Sequence, residues 1–170
     1  RHDPRRLRTG LNAVLPPDIR CRAVEVAPAD FDARFGALWR RYRYRVTDQI
    51  PDPLARHSVL ATRASLDAAA MHAAVQPLLG QHDFGSFCKP RAGATTVREV
   101  LEVGWQRAAD GVVVLDIRAD AFCHSMVRSI VGASLAVGAG RRPSQWLAEL
   151  LRAASRDAAA PVAPPHGLVL

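Results

Sequence analysis

Three stretches of this chain hold residues whose types and spacing could do chemistry. In WRRYRYRV, residues 39–46, four arginines, two tyrosines and a tryptophan share eight positions. Strand alternation puts Trp39, Arg41, Arg43 and Arg45 on one face and Arg40, Tyr42, Tyr44 and Val46 on the other. Guanidinium forks suit phosphate and rings suit a nucleobase, so such a strand can hold a nucleic acid backbone and a base together. An ordinary amphipathic strand with a solvated arginine face gives the same pattern. In AFCHSMVRSIVG, residues 121–132, His124, Arg128 and Gly132 recur every four residues, which places them on one helix face away from the apolar stripe. An arginine there is aimed at a carboxylate or phosphate, and Gly132 lets something approach the backbone closely. The plainer alternative is a solvated face with an incidental glycine. In FGSFCKPR, residues 84–91, two phenylalanines adjoin Lys89 and Arg91, a mixture that grips single-stranded RNA by stacking and charge. At least one of those rings is expected to plug the core.

Other chemistries are poorly served. Ser125 and Ser129 flank Arg128, but no second histidine motif supports a nucleophile–base pair. Cys21, Cys88 and Cys123 are too few and too scattered for a disulfide framework, so small buried thiols are expected. Cys88, Cys123, His82 and His124 lack the ligand spacing of structural zinc, so no metal site is expected there. There is no GxGxxG, P-loop or GxSxG motif. The net charge of the 170 residues is 23 − 16 = +7, which favours a phosphate-bearing partner, although 22 of the 23 basic residues are arginine, a bias that coding can also produce. The absence of a signal peptide or a bilayer-length apolar run points to the cytoplasm and to no membrane partner. A chain that opens on Arg1, with methionine only at 71 and 126, is expected to derive from a longer translation product.

The elements that must position these residues follow from periodicity. Asp3-Pro4 opens a helix to about Val14, with Leu7, Leu11 and Val14 as its stripe. CRAVEV, residues 21–26, alternates as a strand, and Trp39 to Val46 is a second. Ser65 caps a helix that runs to about Leu79, burying Leu66, Ala70, Ala74 and Leu78 and ending at Gly80. Residues 82–96 form a loop. Val97–Gln106 and Val112–Ala119 form a hairpin about Asp110-Gly111, with Val113, Leu115, Ile117 and Ala119 facing inward. Helices follow over residues 122–138 and from Ser144 to about Ala154. A Pro/Ala connection over 159–165 leads to an apolar tail that starts a last strand. Helices beside hairpins predict an α+β fold, an antiparallel sheet with helices packed on one face.

Several stretches together resemble one family. LNAVLPPDIR (11–20), FDARFGALWRRYRYRV (31–46), DFGSFCKP (83–90), TTVREV (95–100), DIRADAFCHSMVRSIVGASLAVGAGR (116–141) and PPHGL (164–168) look like the TruA-type tRNA pseudouridine synthases, in the family's order. The resemblance implies a pseudouridine-synthase-like fold, a ferredoxin-like half. Residues 1–28 would be the remnant of an N-terminal subdomain and 29–170 the C-terminal RNA-binding and catalytic subdomain. It implies an isomerase that converts uridine to pseudouridine in the anticodon stem-loop of tRNA, without cofactor or metal, as a homodimer gripping tRNA in a basic cleft. An aspartate attacks the nucleoside, the glycosidic bond breaks, the base turns and C5 rejoins the ribose. By motif, Tyr42 packs on the target base and Arg128 pairs with the aspartate, while Arg40, Arg41, Arg43, Lys89, Arg91 and His124 contact RNA. The family's aspartate sits in a GRTDAGVHA-like segment before LNAVLPPDIR, and this chain has none, so by itself it is expected to be inactive. His124-Ser125 stands where many members have His-His. Two rivals are a non-catalytic RNA-binding module and an interaction domain whose arginines only solubilise it.

Overall fold

The computed structural model describes residues 3–33, 35–89, 91–155, 157 and 161–170. Arg34 and Pro90 of the quoted motifs, and Ala159 and Ala160 of the expected Pro/Ala connection, lie outside the described residues. The chain forms two compact units, residues 1–37 and 38–170.

In the first unit, α1 spans Pro4–Val14. The Asp3 carboxylate accepts from the Arg5 N–H at 3.0 Å, and Pro4 occupies the first turn, where a missing N–H costs nothing. Leu7, Leu11 and Val14 are exposed, so the expected stripe does not make a core. Residues 21–26 are not a strand. The alternation is present, but no ladder partner exists among the described residues, and a strand without a partner is only extended chain. What orders this segment is the Asn12 side chain: its amide donates to Cys21 O and its carbonyl accepts from Cys21 N, both at 2.8 Å.

The second unit is built on a six-stranded sheet. Its strands are β1 (Arg40–Thr47), β2 (Leu60–Ala61), β3 (Gly80–Asp83), β4 (Val97–Arg107), β5 (Val113–Ala119) and β6 (Leu168–Val169). The order is β2-β1-β5-β4-β3, with β6 also on β1. The sheet is mixed rather than purely antiparallel, because the turn after β1 brings residues 60–61 back alongside Val46 and Thr47 in the parallel sense. All other pairs are antiparallel. Alternation does the sorting. Tyr44 and Val46 of β1 and Val113, Leu115, Ile117 and Ala119 of β5 all point into one core. On β4 the inward set is Val100, then Val103 and Trp105, because a bulge between Val100 and Glu102 shifts the phase by one residue. The β4–β5 hairpin turns at Gly111, whose φ of 82° suits glycine.

Helices α2 (Ala68–Val75), α3 (Met126–Gly138) and α4 (Trp146–Ala153) cover the inward face. The cap of α2 is Asp67, not Ser65, since Asp67 accepts from Ala70 N at 2.9 Å and the preceding Leu66 is buried. Met71 and Val75 join Ala74 and Leu78 inside. Pro77 tightens the last turn into a 3₁₀ helix, and Gly80 (φ 92°) ends it. The stretch expected as loop from residue 82 begins with the end of β3; GQHD is held by its ladder to β4 rather than by apolar burial, so hydrophobic periodicity carries no trace of it. Both Phe84 and Phe87 plug the core. Helix α3 starts four residues later than periodicity suggests, a shift that shapes the site.

Candidate active site

A cavity of about 290 Å³ lies where β1, residues 122–125, the first turn of α3 and β6 meet. Tyr42, Phe122, His124, Arg128 and Leu168 are among its walls. Tyr42 reaches it because alternation turns its ring to the helix-bearing side of β1 while Arg41 and Arg43 face away. Phe122 meets that ring edge to face, with centroids 5.1 Å apart and planes at 83°, a contact that holds the tyrosine in place.

Arg128 lies in the first turn of α3 and is half-buried. Its Nε donates to the Ala163 carbonyl at 2.6 Å, and its own carbonyl accepts from Ala163 N at 3.0 Å. Its two Nη groups make no hydrogen bond to a described residue. A guanidinium anchored through Nε and open at Nη presents the two parallel N–H donors that a carboxylate accepts bidentately. The segment that anchors it is itself fixed. The Tyr44 hydroxyl donates to the Pro164 carbonyl at 2.6 Å, and Leu168 pairs with Tyr44 across β1 and β6. Gly132 lies under the same segment: a Cβ there would overlap the Pro161 carbonyl oxygen. The close approach that this glycine permits is thus made by the chain itself. Burial pushes the Tyr44 phenol up to about 12, and the positive charge of Arg128 opposes part of that rise.

His124 is exposed and precedes the helix rather than sharing a helical face with Arg128. Ser125 takes a left-handed conformation (φ 67°, ψ 2°), which breaks the helical run and costs about 1 kcal/mol for a residue with a Cβ. Surrounding bonds hold it. Ser125 O accepts from Ser129 N at 2.9 Å, and Lys89 N donates to His124 O at 2.9 Å. Cys88 and Cys123 are joined as a disulfide with Cα atoms 5.6 Å apart, against the expectation of free thiols; only Cys21 is free. Cysteine spacing could not reveal this, because the sheet brings the two segments together.

The other expected contacts separate into two groups. Lys89 and Arg91 are exposed, Lys89 being the residue whose N–H is pinned to His124, and neither has an ion pair among the described residues. Arg41 and Arg43 lie on the face of the sheet opposite α2, α3 and α4, free of those helices. Arg41 bonds Glu102 at 2.5 Å, a carboxylate it shares with Arg118 at 2.7 Å, and Arg43 bonds Asp116 at 3.1 Å. Arg118 also sits over the Trp39 ring at 5.3 Å. Arg40 is half-buried and follows the Tyr42 side by alternation. The structure therefore brings Tyr42, His124 and Arg128 together and sets Arg41 and Arg43 on the opposite face. Phe122 and the Ala163 carbonyl were not picked out by sequence reasoning. Phe122 was hidden inside an expected helix, and a backbone acceptor has no residue signature.

A ring and a guanidinium open at Nη thus share one cavity beside the sheet. Comparison with known proteins narrows the class. The family model described as tRNA pseudouridine synthase matches residues 74–170. The chain is 54% identical over 162 residues to tRNA pseudouridine synthase A of Frankia casuarinae, covering 94% of this chain and 59% of that protein. It is 49% identical over 172 residues to the protein of the same name from Streptomyces griseus (99% and 60%), and 44% identical over 170 residues to that of Xanthomonas campestris pv. campestris (99% and 66%). The chain belongs to the tRNA pseudouridine synthase family, and spans about 60% of the length of the first two relatives. No helix among the described residues is long and apolar enough to cross a membrane.

Proposed function

We propose that this chain carries the base-holding and guanidinium half of an active site that isomerises uridine to pseudouridine in the anticodon arm of tRNA. In that reaction the bond from N1 to the ribose breaks and a bond from C5 to the ribose forms, with the C5 proton lost and N1 protonated, so no redox partner is needed. Tyr42 packs on the uracil ring. The Nη fork of Arg128 binds the nucleophilic carboxylate and keeps it ionised. His124, Lys89, whose N–H is bonded to His124 O, and Arg91 two residues on take RNA phosphates. The family membership and the cytoplasmic location of tRNA support a cytoplasmic enzyme acting as a homodimer. The observation that carries this reading is that Tyr42 and Arg128, far apart in sequence, line one cavity that holds no carboxylate among the described residues. The carboxylate is then supplied from outside these 170 residues, and the polypeptide alone binds RNA without turnover.

The test is tritium release from tRNA carrying C5-labelled uridine, with a full-length enzyme. Tyr42→Phe leaves the ring and preserves most turnover, whereas Tyr42→Ala and Arg128→Ala each lower kcat by about 100-fold or more with little change in tRNA affinity. Full turnover in either alanine variant would remove that residue from the mechanism, and pseudouridine formed by the 170-residue chain alone would refute the divided site. The missing carboxylate also favours a second reading, a non-catalytic RNA-binding module. It predicts salt-sensitive RNA binding with no preference for the anticodon arm.

A further inference from the structure

We infer that Tyr44 is a positioning residue for Arg128, acting through the backbone of Ala163 and Pro164. The inference rests on the role proposed above for Arg128. Alternation explains why Tyr44 is buried, but not why a buried core ring should be a tyrosine. Phenylalanine would fill the same volume without a hydroxyl to satisfy. The hydroxyl has one acceptor in this structure, the Pro164 carbonyl at 2.6 Å. The neighbouring residue, Ala163, makes both of its backbone bonds to Arg128: its carbonyl takes Nε at 2.6 Å, and its N–H donates to the Arg128 carbonyl at 3.0 Å.

Two bonds from Arg128 to Ala163 cannot by themselves aim the guanidinium, because both partners could move together. Orientation needs a third point fixed elsewhere. Tyr44 supplies it from the sheet: the residue is fully buried, its ladder partner on β5 is Leu115, and its other edge pairs with Leu168 of β6. Gly132 and Gly167 let the segment lie flat, since a Cβ at Gly132 would overlap Pro161 O and one at Gly167 would come within 2.7 Å of the Tyr44 ring. The segment is thus clamped between the sheet and α3, with Arg128 Nε on its α3 side and Nη left for a carboxylate. A lysine at 128 could supply charge but not this anchored fork.

A double-mutant cycle in the full-length enzyme tests this, with single-turnover pseudouridine formation and tRNA affinity as readouts. Tyr44→Phe is isosteric, and an unfolding midpoint for each variant verifies that it folds. With Arg128 present, Tyr44→Phe is expected to slow the single-turnover step by about tenfold while tRNA affinity stays within about twofold. In an Arg128→Lys background, where the Nε anchor is gone, the same change should alter the rate less than about twofold. An equal loss in both backgrounds, or no loss in either, would overturn the positioning role and leave the role of Arg128 standing. Wild-type rates in Arg128→Lys and Arg128→Ala would instead overturn the role of Arg128, and the inference with it.

Discussion

Tyr44 remains a neutral phenol well above the pH at which tyrosines ordinarily ionise, because burial outweighs the opposing charge of Arg128. The folded-state value of about 12 lies above the ordinary value near 10, so folding favours the protonated form. That contribution is full below pH ~10 and is lost as pH rises from there through about 12. Unfolding by urea should therefore show a falling midpoint across that window. Tyr44→Phe should lose about 1 kcal/mol at neutral pH and flatten the alkaline decline, since the titrating group is gone. An undiminished alkaline slope in the variant would assign the decline to other groups. At this scale the sequence was informative about side-chain type and silent about partners. RRYRYR sorted correctly into a tyrosine face and an arginine face, and the structure turns the tyrosine face inward. That Arg41 and Arg43 would meet Glu102 and Asp116 depends on strand register, which no local pattern encodes.

Elements are joined by a few polar staples that periodicity cannot show. Arg107 at the end of β4 holds Asp48, just past β1, through two bonds of 2.8 and 2.9 Å. The same carboxylate accepts from Leu66 N at 2.8 Å, and Arg107 also donates to Leu66 O at 2.8 Å, so one pair ties β1, β4 and the entry to α2. The Arg107 fork, helped by the Leu66 N–H and opposed by burial, holds the Asp48 carboxyl far below the usual carboxylate range. A depressed value means that this stabilisation is present above the ordinary carboxylate pKa near 4 and disappears as pH falls below it toward the folded value. Asp48→Asn should cost about 2 kcal/mol at pH 7, discounted because Arg107 is partly exposed, and should reduce the acid dependence of the unfolding midpoint. The link from Cys88 to Cys123 is a second staple, closing a separation of 35 residues between the loop after β3 and the turn before α3. Reduction should lower stability by about 3 kcal/mol, read as a shift in urea midpoint that Cys88→Ser reproduces without reductant. An unshifted midpoint on reduction would show that backbone bonds such as Lys89 to His124 hold the turn unaided. The long, strongly patterned elements β1, β4, β5, α3 and α4 were legible from spacing. β3 was not, and α3 was drawn too long, because Ser125 adopts a left-handed turn that only its tertiary bonds sustain.

Across the whole molecule, a net charge of +7 states how much positive charge there is but not where it works. The structure divides it. On the helix-free face, Arg41, Arg43 and Arg118 are matched by Glu102 and Asp116, so much of their field is cancelled before any phosphate arrives. Lys89, whose N–H is bonded to His124 O, and Arg91 two residues on are exposed without an acidic partner among the described residues. Counterion release comes from the cations condensed on the RNA, set free as protein cations neutralise phosphates, and each such contact adds about 0.7 to 0.9 to the magnitude of the slope of log affinity against log salt. Under the proposed function, Lys89→Ala and Arg91→Ala should each reduce that slope by about one contact and weaken RNA binding regardless of sequence. Arg41→Ala with Arg43→Ala should leave the slope nearly unchanged, because each removes a cation already paired with a carboxylate on the sheet face opposite Tyr42. Filter binding of a tRNA anticodon stem-loop over a salt series distinguishes the two sets. If the Arg41 and Arg43 variants flatten the slope and the Lys89 and Arg91 variants do not, RNA crosses the helix-free face. The cavity at Tyr42 and Arg128 would then be reached from the opposite side of the sheet, and His124 would lose its place among the phosphate contacts.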